Sequence, residues 1–240
     1  MRWRPPDDHL EPLPEAIWAL PTLELAQELL GRWLVHETPD GLLVGRIVET
    51  EAYMGPHDRA AHSYGGKVTP RTRVMYGPPG HAYVYFIYGM YDCLNVVAAQ
   101  EGIPHAILIR AVEPLVGGGI MARLRGLDID RVQQALEEGK SVPALTSGPG
   151  RLTQAFGITR ENHNGHDLRK RPLYIAKGTP YPPEAVAVSE RIGIDYAGEA
   201  RHYLWRFFIA HHPYVTKPRS GIPLRDFQSK DRTGQPGSGV

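Results

Sequence analysis

Arg110 interrupts an apolar run, Ala106-Ile-Leu-Ile-Arg110-Ala-Val112, and no other residue constrains the fold as strongly. The run, taken over residues 104–112, has the length and β-branched character of a strand buried in a core. A guanidinium there needs a partner, because an isolated buried charge is too costly for folding to bear. A carboxylate on a neighbouring strand supplies one with good geometry. The segment Gly45-Arg-Ile-Val-Glu-Thr-Glu-Ala-Tyr53 reads as such a strand. Alternation puts Ile47, Glu49, Glu51 and Tyr53 on one side, and Val48 and Ala52 on the other. Glu51 is expected to pair with Arg110 in the interior, and Glu49 to pair structurally with Arg46 or Arg110.

Glycine (26) and proline (22) recur along the 240 residues, which favours short elements and tight turns over a helical bundle. Thr22–Leu30 predicts a short amphipathic helix stopped by Gly31. A strand over Trp33–Glu37 then turns at Pro39-Asp40-Gly41 into the strand that ends at Tyr53. Helices are expected around Ile120–Arg125 and Asp130–Glu138 and from Ser147 to Phe156. Further strands are expected at Leu173–Ala176, Ala185–Ile192 and Leu204–Ile209. The pattern is α+β: one mixed domain with a curved, mainly antiparallel β-sheet, flanking helices and a protruding β-hairpin. Residues 1–20 read as an extended arm, 21–216 as the folded body and 217–240 as a flexible basic tail.

The hairpin is expected between residues 81 and 99, where Tyr and Val are enriched on both sides of Gly89. Tyr83 and Tyr85 fall on one face, and Val84, Phe86 and Tyr88 on the other. At the tip, Tyr88, Met90 and Tyr91 expose large apolar bodies that folding alone would hide. The loop from Asp58 to Gly80 carries Arg59, Lys67, Arg71 and Arg73 against Asp58 alone, a local excess of +3 suited to phosphate contacts. Ser147-Gly148-Pro149-Gly150-Arg151 opens a helix with free backbone N–H groups and is a second phosphate candidate, through Ser147, Gly148 and Arg151. Glu51, Tyr53 and His62, a carboxylate, an aromatic plate and an imidazole within twelve residues, suit a flat polar ring with water activated beside it.

Several classes are excluded. A formal net charge of +1 confines nucleic-acid affinity to local clusters. A single cysteine, Cys93, excludes internal disulfides and cysteine-based zinc fingers and suits a reducing compartment. With no apolar run of membrane-spanning length and no signal-type segment, a soluble intracellular protein is expected. His57, Asp58 and His62, or the pair His211-His212, could suggest a metal site, but two histidines five apart on a turn lack a convincing third ligand, so no metal or cofactor is expected. Gly77-Pro78-Pro79-Gly80 is not a nucleotide-binding loop, since no Gly-Lys-Ser/Thr follows. Asp167 is a candidate supporting carboxylate near the site.

The block Gly45–Ser63, with Thr69-Pro70-Arg71, Tyr83-Val84-Tyr85, Ile87-Tyr88-Gly89-Met90-Tyr91, Asn95, Leu108-Ile109-Arg110-Ala111, Ser147-Gly148-Pro149 and Arg191-Ile192-Gly193, resembles the alkyladenine (3-methyladenine) DNA glycosylase family. The resemblance runs in register from about Thr22 to Thr216. It implies a monomer that acts on double-stranded DNA containing damaged purines, in the cytoplasm or, in a eukaryote, the nucleus. In that picture the hairpin tip enters the minor groove, Tyr88 fills the space of the flipped nucleotide, and Met90 and Tyr91 flank it. The base slots between Tyr53 and His62 on one side and Tyr85 on the other. Glu51 deprotonates a water poised at the anomeric carbon, assisted by Arg110 and the backbone carbonyl of Ile192. Asn95 crowds out the exocyclic amino group of guanine. Two departures from the family pattern stand out: Met54 where leucine is expected, and Tyr76-Gly77-Pro78-Pro79 in place of a more basic segment. Without catalysis, the same tyrosine hairpin and basic loop would serve a nucleic-acid-binding module.

Overall fold

Strand β1 (Trp33–Thr38) folds back through the expected turn into β2 (Gly41–Tyr53), the longest strand among the described residues. This computed structural model describes residues 6–87 and 89–230. β3 (Ala82–Ile87) and β4 (Tyr91–Ala98) form the tyrosine hairpin, and β5 (His105–Val116) follows. β6 (Leu173–Ala176), β7 (Val186–Ser189), β8 (Arg206–Ile209) and β9 (Ile222–Pro223) complete nine strands among the described residues. They form one open sheet in the order β3-β4-β5-β2-β8-β7-β9, and β1 pairs with β2 and β6. Every pairing is antiparallel.

β2 is the spine because its two edges are used differently. β5 runs beside it from Val44 to Tyr53, whereas the other edge takes β1 at its start and β8 at its end. The β2–β5 register shifts between Val44 and Gly45 and twice between Ile47 and Thr50. Such bulges bend a strand and re-aim its side chains. Strict alternation therefore fails at Ile47, which packs in the same apolar core as Val48 and Ala52, while Glu49 and Glu51 keep their expected face.

Helices α1 (Thr22–Glu28), α2 (Gly118–Leu124), α3 (Ile129–Glu137) and α4 (Pro149–Phe156) cover that core. Leu25, Ala26, Met121, Leu152, Ala155 and Phe156 enter it with no exposed surface, beside Val48, Ile109 and Phe207 of the sheet. A one-turn helix at Arg160–His163 was not foreseen, and β7 is shorter than the strand expected over Ala185–Ile192. The terminal segments hold more structure than their polar, Pro-rich composition suggested. Leu13 and Trp18 are buried, β9 pairs with β7, and a last helix, α5 (Leu224–Lys230), buries Leu224. Residues 1–5 and 231–240, and Tyr88 at the hairpin tip, lie outside the described residues.

Candidate active site

Pairing register assembles the site. Tyr83 lies opposite Asn95, Asn95 opposite Leu108, Leu108 opposite Glu51, and Glu51 opposite Arg206. Directly opposed residues of antiparallel strands point to the same side, so this row crosses five strands on one face. Tyr85 and Cys93, opposed two positions along, share that face, as does Tyr53 at the end of β2. Val84, Leu94, Ile107 and Ala52 point the other way, into the core.

Above the row lies a cavity of about 460 Å³. Tyr53, His62, Tyr85, Asn95, Arg110 and Ile192 all line it, so strands, a loop and the 191–193 segment converge as expected. Ser147, Gly148 and Arg151 line it from the start of α4. Tyr91, 39% exposed, seats its ring over Gly150, where a Cβ would lie 2.7 Å from Tyr91 Cγ. Only a glycine permits that approach. Met90 is 67% exposed at the tip. Lys67 and Arg73 are exposed on the basic loop, away from the cavity lining. Asp167 does not join the site: it lies against His81 and is held by Arg169 and Lys170.

Glu51 is wholly buried yet lies just beneath the cavity. Its Oε2 accepts hydrogen bonds from Tyr53 Oη at 2.8 Å and Arg110 Nη1 at 3.1 Å. Its Oε1 accepts one from the backbone N–H of Ile192 at 2.8 Å. Ile192 thus meets Glu51 through its N–H, a contact not anticipated from sequence. Arg110 also donates through Nε to Glu49 Oε1 at 3.1 Å, which decides the partner of Glu49. Arg46 lies against Glu113 instead. Burial by itself would lower the Arg110 pKa, but Glu51 and then Glu49 push it above its ordinary value, so the guanidinium stays charged. The Tyr53 hydroxyl is held well above its usual range, first by burial and then by Glu51, and remains a donor.

Two further guanidinium groups complete the frame, and neither was assigned a role from sequence. Arg206, fully buried, donates through Nε to Glu49 Oε1 at 2.7 Å. Its terminal nitrogens bond Ser189 Oγ and the carbonyls of Thr216 and Pro218. Thr216 returns both its N–H and its hydroxyl to Glu49. Glu49, Glu51, Arg110 and Arg206 thereby form a charge-balanced buried chain. Arg191 grips both oxygens of Asp58, at 2.5 and 2.9 Å, and also donates to the carbonyls of Ala52 and Ala200. Its guanidinium lies 4.7 Å from the centroid of the Tyr53 ring and 5.0 Å from that of Trp205. Asp58, weighed above as a metal ligand, accepts as well from the N–H groups of Met54 and Ala60. It is the knot of the loop. The signal for Arg206 was present: like Arg110, it interrupts an apolar strand.

The aromatic wall is compact. His62 meets Tyr85 edge-on, with ring centroids 4.5 Å apart. Its Nδ1 lies 2.8 Å from Tyr83 Oη, and its Nε2 accepts from Arg71 Nη2 at 3.1 Å. Burial and then the Arg71 charge lower the His62 pKa to about 4, although the ring opens onto the cavity. Arg71, expected on phosphates, also rests its guanidinium 5.0 Å from the Tyr85 centroid. Burial raises the Tyr85 hydroxyl pKa and lifts the Cys93 thiol to about 11. Asn95, nearly buried, donates from Nδ2 to the Tyr83 carbonyl at 3.0 Å.

Comparison with known proteins identifies the family. Residues 16–213 match the family model described as methylpurine-DNA glycosylase. A Clostridium acetobutylicum protein is 50% identical over 197 residues, spanning 81% of this chain and 92% of the relative. Proteins of Alkaliphilus oremlandii and Desulfitobacterium hafniense are 45% and 46% identical, covering 82% and 81% of this chain and 95% and 93% of their own lengths. All three are named "Putative 3-methyladenine DNA glycosylase".

Proposed function

The chain belongs to the methylpurine-DNA glycosylase family and is a DNA N-glycosylase, and from this premise we propose that it releases alkylated and deaminated purines from duplex DNA with water activated by Glu51. Membership of an enzyme family removes the support for a purely binding module. The substrates are purines of the 3-methyladenine, 7-methylguanine, hypoxanthine and ethenoadenine type. The observation that carries the reading is the buried Glu51 carboxylate, framed by Tyr53, Arg110 and the Ile192 N–H, three groups whose residues line an aromatic cavity. Oε1 takes one hydrogen bond among the described residues, so one of its two lone pairs is free to receive a proton from water. As the N-glycosidic bond breaks, the sugar gains oxocarbenium character, and the adjacent carboxylate opposes that charge. Arg110, shared with Glu49, keeps the carboxylate from swinging away.

The flipped base stacks against Tyr53, His62 and Tyr85, and Asn95 crowds an exocyclic amino group at the guanine 2-position. Tyr88 wedges the duplex, with Met90 and Tyr91 beside it, and Lys67, Arg73 and Arg151 meet phosphates. The protein acts as a monomer. Among the described residues no lysine lines the cavity, which supports hydrolysis by water to an intact abasic site. Among the described residues no helix is long and apolar enough to cross a membrane.

The test is Glu51→Gln in single-turnover release of hypoxanthine from an inosine-containing duplex. Excision should fall by about 10²–10⁴-fold, the range of general-base catalysis, while the variant still binds the lesion duplex. Near-normal release by Glu51→Gln would show that another group readies the water.

A further inference from the structure

Arg71 stands apart from the other cations of the site. Arg110 and Arg206 are balanced by Glu49 and Glu51, and Arg191 by Asp58. Arg71 has no carboxylate partner among the described residues, and although the residue is exposed its guanidinium is engaged by neighbouring rings. It bonds the His62 ring, acts on the Tyr83 hydroxyl and lies over Tyr85. Its backbone is pinned by local chemistry: Thr69 and Thr72 exchange hydroxyl and N–H bonds around it, and buried Thr72 also bonds the Lys67 carbonyl.

Two consequences follow from donor and acceptor identity. A guanidinium can only donate, so His62 Nε2 carries the lone pair, and a neutral ring then holds its proton on Nδ1, facing Tyr83 Oη. The ring against which a base would stack is therefore uncharged. The π-face of Tyr85 is the natural seat for a flat cation, and Arg71 already engages that ring. Arg71 does not line the cavity, so its charge reaches a bound base through its contacts with Tyr85 and His62 rather than by filling the pocket.

We propose that Arg71 is a specificity-determining residue whose fixed charge, laid on Tyr85 and His62, disfavours cationic alkylpurines relative to neutral purine lesions. The inference rests on the base-pocket reading above. A quaternised purine carries its own positive charge toward that wall, and a neutral deaminated or bridged purine does not. Stacking in an aromatic slot alone would favour the cation; Arg71 moderates that preference. Contacts of Arg71 with phosphate would change both lesions alike and leave their ratio untouched.

Single-turnover release at saturating enzyme would be measured on two duplexes, one holding a single 7-methylguanine and one a single hypoxanthine. Wild type, Arg71→Gln and Arg71→Lys would be compared. Arg71→Gln keeps a donor for His62 but loses the charge, and the 7-methylguanine to hypoxanthine rate ratio should rise on the order of 5-fold. Arg71→Lys retains the charge and should hold the ratio near the wild-type value. An unchanged ratio in Arg71→Gln, or an equal rise in Arg71→Lys, would overturn the proposal. If the wild type releases neither base, the proposed function itself fails, independently of Arg71.

Discussion

Asp58 and Arg191 show how much a single pair can hold. The two are 133 residues apart, and both side chains are completely buried. Arg191 precedes the residue whose N–H meets Glu51, and its guanidinium lies against Tyr53, so the pair fixes two of the three groups around the carboxylate. Asp58→Asn keeps the shape but leaves a buried cation without its counter-charge, and should cost about 3 kcal/mol of unfolding free energy, read from urea midpoints. A loss near zero would mean that water replaces the carboxylate. Glu51, Tyr53 and His62 were legible as a cluster because they lie within one strand and its following loop. Asp58 and Arg191 were not, because neither end of the pair announces the other.

At the scale of elements, turn and periodicity signals served best where the structure is local. Gly31 was expected to stop the Thr22–Leu30 helix; the helix instead ends at Glu28 with Leu29 as its cap, and Gly31, two residues past that cap at φ 87°, donates its N–H to the Ile47 carbonyl. Its role extends further than that. A Cβ on Gly31 would stand 2.5 Å from the Thr179 carbonyl oxygen, in backbone packed tightly beneath the helix end. Gly31→Ala therefore combines an unfavourable left-handed conformation with a backbone clash, and should lower stability by about 2–4 kcal/mol. Circular-dichroism melts would test this; an unchanged midpoint would show that the 179–181 segment yields freely. The tyrosine hairpin was read correctly from alternation about Gly89. The strand expected at Ala185–Ile192 was too long because Arg191 leaves the sheet to find Asp58. Apolar periodicity alone does not show where such a demand ends a strand. The C-terminal pieces β9 and α5 were read as tail because their sequences are short and polar, and their support comes from β7 and the core.

Taken whole, the molecule carries several histidines held neutral. Burial lowers His36, His62, His105, His163 and His212 below the ordinary 6.5, and His62 and His212 reach about 4. In the unfolded chain these rings take up protons near 6.5, whereas the folded protein resists until the pH is much lower. The stability they contribute is complete above pH 6.5 and drains away as pH falls through about 4. Urea midpoints should accordingly drop across that window, and His212→Gln should flatten part of the slope. A midpoint that is level from neutrality to pH 4 would show that these rings charge without penalty.

The chain's own pattern determined that a buried arginine on one strand must meet acids on another, that tyrosines flank an exposed hairpin tip, and that short elements make a mixed α+β domain on a mainly antiparallel sheet. Those conclusions need only periodicity, turn chemistry and the cost of an unpaired charge, all of which act over a few residues. Tertiary structure alone decided that Glu49 would be shared between Arg110 and Arg206, that Asp58 would clasp Arg191, and that Arg71 would rest on Tyr85. Each of these joins segments distant in sequence. A buried charge dictates that a partner exists, and only the register and bends of the sheet dictate which one comes within reach.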